Sequence, residues 1–257
     1  EIEAIAGNPE APSFDNTVAA LEKSGQMLTR TLYVFNALKA ANTNDTLDAT
    51  DSATAPKLAA LADASFLNGK LFARIKSLHD RQGELGLRPD QARLLKVSYE
   101  RYVKNGALLA EADKDRLKAI NARISSLQPE FSQKLVAASK DEALVVSDKR
   151  QLAGLSADDI AAAAMAAEDR GLKDKWALAL FNTTQQPLLV NLKHRATRQA
   201  LYEAGWNRTQ RGNANDTRAL IAELAELRAN KAALLGFADF ASFTMSDQMA
   251  KNPATAM

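Results

Sequence analysis

The chain has no cysteine among its 257 residues. Disulfides, thiol nucleophiles and cysteine-held metals are therefore excluded. Chains without thiols occur in reducing and oxidising compartments alike, so cytoplasm and periplasm both stay open. Histidine is nearly as scarce, with His79 and His194 alone. Zinc draws its ligands from histidine, cysteine and carboxylates. The helical peptidase motif H-E-x-x-H sets two histidines one turn apart with a glutamate as general base. Nothing here matches it, since His79 precedes Asp80 and His194 lies between Lys193 and Arg195. An excess of one charge is also missing: 33 basic and 31 acidic residues leave a net charge of +2. That balance argues against nucleic acid or an acidic membrane surface as partner. No apolar run approaches the roughly 18 residues that a membrane span needs. The 11 glycines stand singly, so there is no glycine-rich phosphate loop, and no G-x-S-x-G elbow occurs. No catalytic, cofactor-binding or metal-ligating residue is assigned, and the chain is expected to hold no self-sufficient catalytic site.

What is present is helical periodicity over a composition that is 46% hydrophobic, enough for a core. From Ser13 to about Ala41, Val18, Leu21, Gly25, Leu28, Leu32 and Phe35 step by three and four, the mark of one buried helix face. Ser13 or Asp15 is its cap, and residues 42–46 break it. A second helical stretch is expected to start at Pro56, where proline suits the first turn. It carries Leu58, Leu61 and Phe66, pauses at Asn68-Gly69, and continues with Leu71, Ile75 and Leu78. Pro89 opens a third stretch with Leu94, Leu95, Tyr99 and Tyr102. The longest pattern, Ala110 to Asp141, carries Leu117, Ile120, Ile124, Leu127, Phe131 and Leu135. Pro129 within it predicts a kink or short break near Gln128. The stripes at 18–35 and 117–135 share a spacing that suits packing as a hairpin or bundle.

The texture then changes. Residues 143–147 and 176–181 read as short strands, the second from the alternation of Trp176, Leu178 and Leu180. Ser156 to Asp159 resembles a capping box opening an alanine-rich helix. Asn182 to Pro187 reads as a polar loop. Helices follow over 193–208 and, with Asp216 as cap, through Leu220, Ile221, Leu224, Leu227 and Leu234 to a stop at Gly236. A last helix begins near Ala238. Two regions are expected: a long-helix region, 1–142, and a mixed helix and short-strand region, 143–257. The fold class is mainly α.

Two charged groups raise functional questions. Lys193, His194, Arg195 and Arg198 could meet a phosphate or carboxylate, but the plainer reading is a solvated helix face. Arg208, Arg211, Arg218 and Arg228 surround Asp216, Glu223 and Glu226; a salt-bridge network orienting helices is favoured over the rim of a cleft. Four N-x-S/T tripeptides, at Asn44, Asn182, Asn207 and Asn215, are taken as chance matches to a short motif.

One stretch is recognisable. It reads Arg198, Leu201-Tyr202, Ala204, Arg208 and Asp216, then Leu227-Arg228, Ala232, Leu234-Leu235-Gly236-Phe237, Ala241 and Phe243. This resembles the helical region upstream of the zinc site in the thimet-oligopeptidase (neurolysin-type) metallopeptidases. Phe14-Asp15-Asn16-Thr17, Leu152 to Ser156 and Trp176 to Leu180 fit the same family, in its bacterial peptidyl-dipeptidase branch. Pro129, and Phe243 where tyrosine is common, depart from the pattern. The resemblance implies a zinc peptidase cutting short peptides and releasing C-terminal dipeptides. It implies a bundle-like helical half of such an enzyme, one wall of a deep channel, with short peptides and the C-terminal catalytic half as partners. Zinc would belong to that other half, and none of its ligands is carried over here. The chain opens on Glu1 inside a helical pattern and stops at Met257 soon after Pro253; both ends are expected to be cuts through a longer protein. The alternative is a non-catalytic helical module that binds protein or peptide.

Overall fold

The computed structural model describes residues 1–257, except for the side chains of residues 182–186. The helices and strands, in chain order, are α1 (Ile2–Ala6), α2 (Ala20–Lys23), α3 (Gln26–Asn42), α4 (Asp45–Phe66), α5 (Gly69–Asp80), α6 (Pro89–Lys104), α7 (Glu111–Asp141), β1 (Ala143–Val146), α8 (Ala157–Glu168), β2 (Trp176–Ala179), α9 (Asn182–Asn191), α10 (Arg195–Trp206), α11 (Arg218–Leu234), α12 (Phe240–Met245) and α13 (Pro253–Ala256). The class is mainly α, as expected. No helix among the described residues is long and apolar enough to cross a membrane. Contacts divide the chain into two compact units, one of Glu1–Pro129 with Glu223–Met257 and one of Glu130–Ala222.

The first unit is built around α5. Asn68 caps it, its side chain accepting from the Leu71 amide at 3.0 Å, which fixes where the helical period starts. Leu71, Ile75 and Leu78 then fall on one face and are fully buried against Leu95 and Tyr102 of α6. Burying each of these aliphatic side chains is worth about 1.5–3 kcal/mol. Phe72 stacks beside Tyr99 at 5.7 Å and Tyr102 at 6.4 Å, and the Tyr102 hydroxyl meets Ser65 at 2.9 Å. Arg74 is buried on this same helix. Its guanidinium donates to the carbonyls of Asn8 and Glu10 at 2.9 and 3.0 Å, and to the side chains of Asn16 at 2.8 Å and Thr17 at 3.3 Å. Four acceptors offset its desolvation and pin the N-terminal segment to α5.

Two expectations for this unit fail. The stripe from Val18 to Phe35 is not one helix. A π-helical turn at Phe14–Ala19, capped by Ser13, and α2 end at Ser24, and Gly25 takes a left-handed φ of 68°. Such a φ costs glycine nothing; it re-aims the chain, so α3 starts in a new direction. Val18 is buried, but α3 contains no buried residue. Pro56 does not open a helix; it lies inside α4, which Asn44 caps through the Leu47 amide at 3.0 Å. The Asn44 cap starts the helix earlier, and the lost proline N–H is tolerated in a 22-residue helix. In α7 helical structure continues through Pro129, so of the expected kink or short break the break is absent. The two compact units nonetheless divide between Pro129 and Glu130.

The second unit is a two-stranded antiparallel sheet with helices packed on it. Ala143 pairs with Ala179 and Val146 with Trp176. Val146, Leu152, Ala163, Leu178, Leu180, Leu192 and Leu201 form its core. The capping box is present: the Ser156 hydroxyl accepts from the Asp159 amide at 3.1 Å, and the Asp159 carboxylate accepts from the Ser156 amide at 3.3 Å. Gly154, at φ 99°, lets the chain pass Asn191 so closely that a Cβ would stand 2.2 Å from its carbonyl oxygen. There the Lys193 amide donates to the Ala153 carbonyl at 2.8 Å. The expected polar loop at 182–187 is replaced by α9; the tripeptide at Asn182 falls outside the described side chains.

Candidate functional site

The motif around Arg228 to Phe243 resolves into an aromatic cluster faced by cations. Gly236 takes a left-handed φ of 82° after α11, and the Phe237 amide donates back to the Ala232 carbonyl at 2.9 Å. This closes the helix in the way that glycine favours. It turns Phe237 toward α12, where Phe243 meets it edge-on at 5.4 Å and Phe240 lies 5.7 Å from Phe243. The Asp239 side chain caps α12, accepting from the Ser242 amide at 2.7 Å. Arg228 lies over the Phe240 ring at 5.3 Å, while Lys104 and Lys231 approach the Phe243 ring at 5.0 and 5.7 Å. Ring faces are electron-rich, so each contact is attractive.

Behind this cluster is a polar relay between helices. The Asn121 amide nitrogen donates to the Asp63 carboxylate at 2.7 Å, and its oxygen accepts from the Lys231 ammonium at 2.7 Å. Asp63 is buried, and that desolvation raises its pKa above the usual carboxylate range, against the Asn121 hydrogen bond and the Lys231 charge. Burial likewise lowers the Lys231 pKa, with Asp63 opposing. One neutral amide therefore bridges two desolvated charges. Neither Asp63 nor Asn121 stands out in the sequence. The available signal is position: Asp63 sits between Leu61 and Phe66, and Asn121 four residues after Leu117.

Beside the cluster opens a cleft of about 770 Å³ between α6 and α12. Its wall includes Arg93, Arg101, Lys104 and Lys251 with Glu100 and Asp247. Lys104 is the hinge of this wall, pairing with Asp247 at 2.8 Å and donating to the Thr244 carbonyl at 3.4 Å. Asp247 is held below the usual carboxylate range chiefly by that lysine. Cations, hydroxyls and an aromatic face suit non-covalent contact with a polar chain.

The sequence-flagged groups fare differently. His79 lies half-buried with its ring stacked on Tyr99 at 3.9 Å. His194 caps α10, its Nδ1 accepting from the Thr197 amide at 3.3 Å. Among the described residues no three histidine, cysteine or carboxylate groups stand close enough to hold a metal ion. Within 193–198, the Arg198 guanidinium donates to the Leu192 carbonyl at 2.7 Å, so His194 and Arg198 both secure the start of α10. The four arginines do not form one network. Arg218 pairs with Asp216 at 2.6 Å and Arg211 with Glu142 at 3.1 Å. Arg208 donates to the Leu180 carbonyl at 2.7 Å, Arg228 covers Phe240, and Glu223 takes Arg123. Asp216 does not take the cap position expected of it, because α11 begins at Arg218 and the Ile221 amide returns to the Thr217 carbonyl. Instead the Asp216 carboxylate accepts from the Gly212 and Arg218 amides at 2.7 and 3.0 Å. Arg218 above all pulls its pKa well below the ordinary range.

Residues 188–257, which carry this cluster, match the sequence model of peptidase family M3. Along its whole length the chain also aligns with the dipeptidyl carboxypeptidase of Escherichia coli, 49% identical over 257 residues. Both comparisons point to similarity with M3 peptidases. The dipeptidyl carboxypeptidase of Salmonella typhimurium is 47% identical over the same 257 residues. A probable cytosolic oligopeptidase A of Arabidopsis thaliana is 24% identical over 245 residues, or 93% of this chain. The chain spans only 38% of the length of the two bacterial M3 relatives. The stretch from Arg198 to Phe243 lies wholly inside the matched region.

Proposed function

We propose that this chain is the N-terminal part of a zinc metallopeptidase that cleaves short peptides and releases dipeptides from their C-termini. In this reading it forms one wall of the substrate channel and restricts what enters. The observation that carries it is the 49% identity with a dipeptidyl carboxypeptidase over all 257 residues. The cleft beside Phe243 adds support, since its cations and aromatic face suit a peptide's carboxylates and side chains. Region 1–142 supplies the long helices and region 143–257 leads toward the catalytic half. The described residues of this chain do not fit zinc: the metal needs three or four convergent ligands, and none converge among them, since His79 stacks on Tyr99 and His194 caps α10. The metal and its general base would come from the rest of the polypeptide.

The test is a chimera joining this chain to the downstream residues of the Escherichia coli relative. It is expected to bind one zinc and release dipeptides from a short peptide. The 257-residue chain alone is expected to bind no stoichiometric zinc and release none. Elemental analysis finding one tightly held zinc in the chain alone, or a zinc-loaded chimera that leaves peptides intact, overturns the proposal.

A further inference from the structure

The outer face of α10 carries an aromatic and cationic ridge that is left exposed among the described residues. Arg195, Gln199, Tyr202 and Trp206 recur at steps of four, three and four, so they line one side of the helix. The opposite side carries Leu201, fully buried in the second unit's core. Trp206 is 73% exposed and Tyr202 53%. Their rings stack at 5.9 Å with an interplanar angle of 17°. Val190, at the end of α9, is 84% exposed. Beside them a shallow cleft of about 360 Å³ is lined by Leu189, Arg195, Arg198, Gln199 and Tyr202.

Tryptophan and tyrosine are among the largest side chains, and leaving both in water forfeits the gain from burying their rings. Tryptophan, tyrosine and arginine are also the residues that dominate binding energy where proteins meet. The stack already fixes both rings, so docking against them loses little side-chain freedom. A second copy is a poor occupant. A two-fold contact sets the same patch against itself, and nothing in the chain calls for a second copy to cover the ridge, whereas its relatives extend well beyond it. The remainder of a longer M3 polypeptide is the better one, on two grounds. The whole chain aligns with proteins of which it is only 38%, and the ridge lies at the start of the segment that the M3 family model matches.

We infer that the α10 ridge, centred on Tyr202 and Trp206, is the surface on which the rest of an M3 parent polypeptide docks. This rests on the proposed function. The partner surface has an apolar seat for the indole and a carboxylate for Arg195.

Hydroxyl-radical footprinting with peptide-level mass spectrometry tests it, comparing the 257-residue chain with the chimera described above. Tyr202 and Trp206 are expected to be oxidised at least fivefold more slowly in the chimera. Equal rates in the two proteins overturn the inference. Dipeptide release by the chimera is scored separately: an active chimera with an unprotected ridge sinks the ridge and leaves the proposed function standing. Protection that rises with concentration in the isolated chain points to a second copy and also overturns it. As a second readout, Trp206→Ala is expected to leave the melting temperature of the isolated chain within a degree and to lower that of the chimera by several degrees. Equal shifts in both proteins count against docking.

Discussion

Replacing Asn121 by leucine isolates the buried relay. Leucine has a similar size but neither donor nor acceptor, so Asp63 and Lys231 each lose a hydrogen bond of 2.7 Å. A hydrogen bond to a charged group contributes about 1.5–3 kcal/mol. Asp63 is buried and takes a value near the top of that range. Lys231 is only partly buried, and its flexible ammonium can recover water, so its share falls to about half the lower bound. The expected loss is roughly 3 kcal/mol, a large share of the ~5–15 kcal/mol typical of a folded domain. Urea unfolding followed by far-ultraviolet ellipticity measures it through the midpoint, provided the slope is unchanged. When all partners of a buried ionic group are replaced by apolar residues, the cost is small. Asp63→Leu and Lys231→Met added to Asn121→Leu should therefore restore most of the loss. A single variant losing under 1 kcal/mol would refute the account. So would a triple variant no better than the single one, because the loss would then come from packing.

Two further predictions follow from named contacts. Burial raises the Asp63 pKa, so between its ordinary and its raised value the folded state holds more protons than the unfolded state. Stability from this group is therefore full below pH about 4 and declines as pH rises through the raised value. Asp216, lowered chiefly by Arg218, acts with the opposite sign and loses its contribution only as pH falls below about 4. Asp63→Asn should remove the decline on the neutral side and leave the acid-side loss intact; identical pH profiles of urea stability in the two proteins would contradict this. Gly154→Ala forces a Cβ to 2.2 Å from the Asn191 carbonyl oxygen at a φ of 99°, and should cost about 3 kcal/mol or more. Gly25→Ala, at φ 68° with open space around it, should cost only about 1–2 kcal/mol. Thermal melts of the pair check the order, and equal losses would show that the Asn191 contact does not matter.

Local chemistry was legible wherever it acts within a few residues. The capping box at Ser156, the cap at Ser13, Pro89 at the first turn of α6 and the left-handed Gly236 are each fixed by neighbours in sequence, and each appears as expected. The strands at 143–146 and 176–179 announced themselves by β-branching and alternation. The family resemblance was legible for a related reason: it rests on residues that recur in a fixed order, which no folding needs to reveal.

The misreadings have one cause. Periodicity states that a helix has an apolar face, not that anything lies against it. The stripe through Leu28, Leu32 and Phe35 looked like core, yet α3 buries none of its residues, because the left-handed Gly25 turns the helix away from the cluster holding Val18. The converse case is Arg74, about which the periodicity says nothing. Standing beside Leu71, Ile75 and Leu78, it looks like an interruption, and it is buried because carbonyls from Asn8 and Glu10, more than sixty residues away in sequence, converge on it. Asn121 likewise gains its role only when α4 and α11 bring Asp63 and Lys231 to either side of it. By itself, then, the sequence determined the helical class, the caps, the turns and the resemblance to M3 peptidases, all of which depend on short-range order. Which faces are buried, which charges meet, and which aromatic pair is left in water were decided by long-range packing, since burial is a property of what the rest of the chain places against a residue.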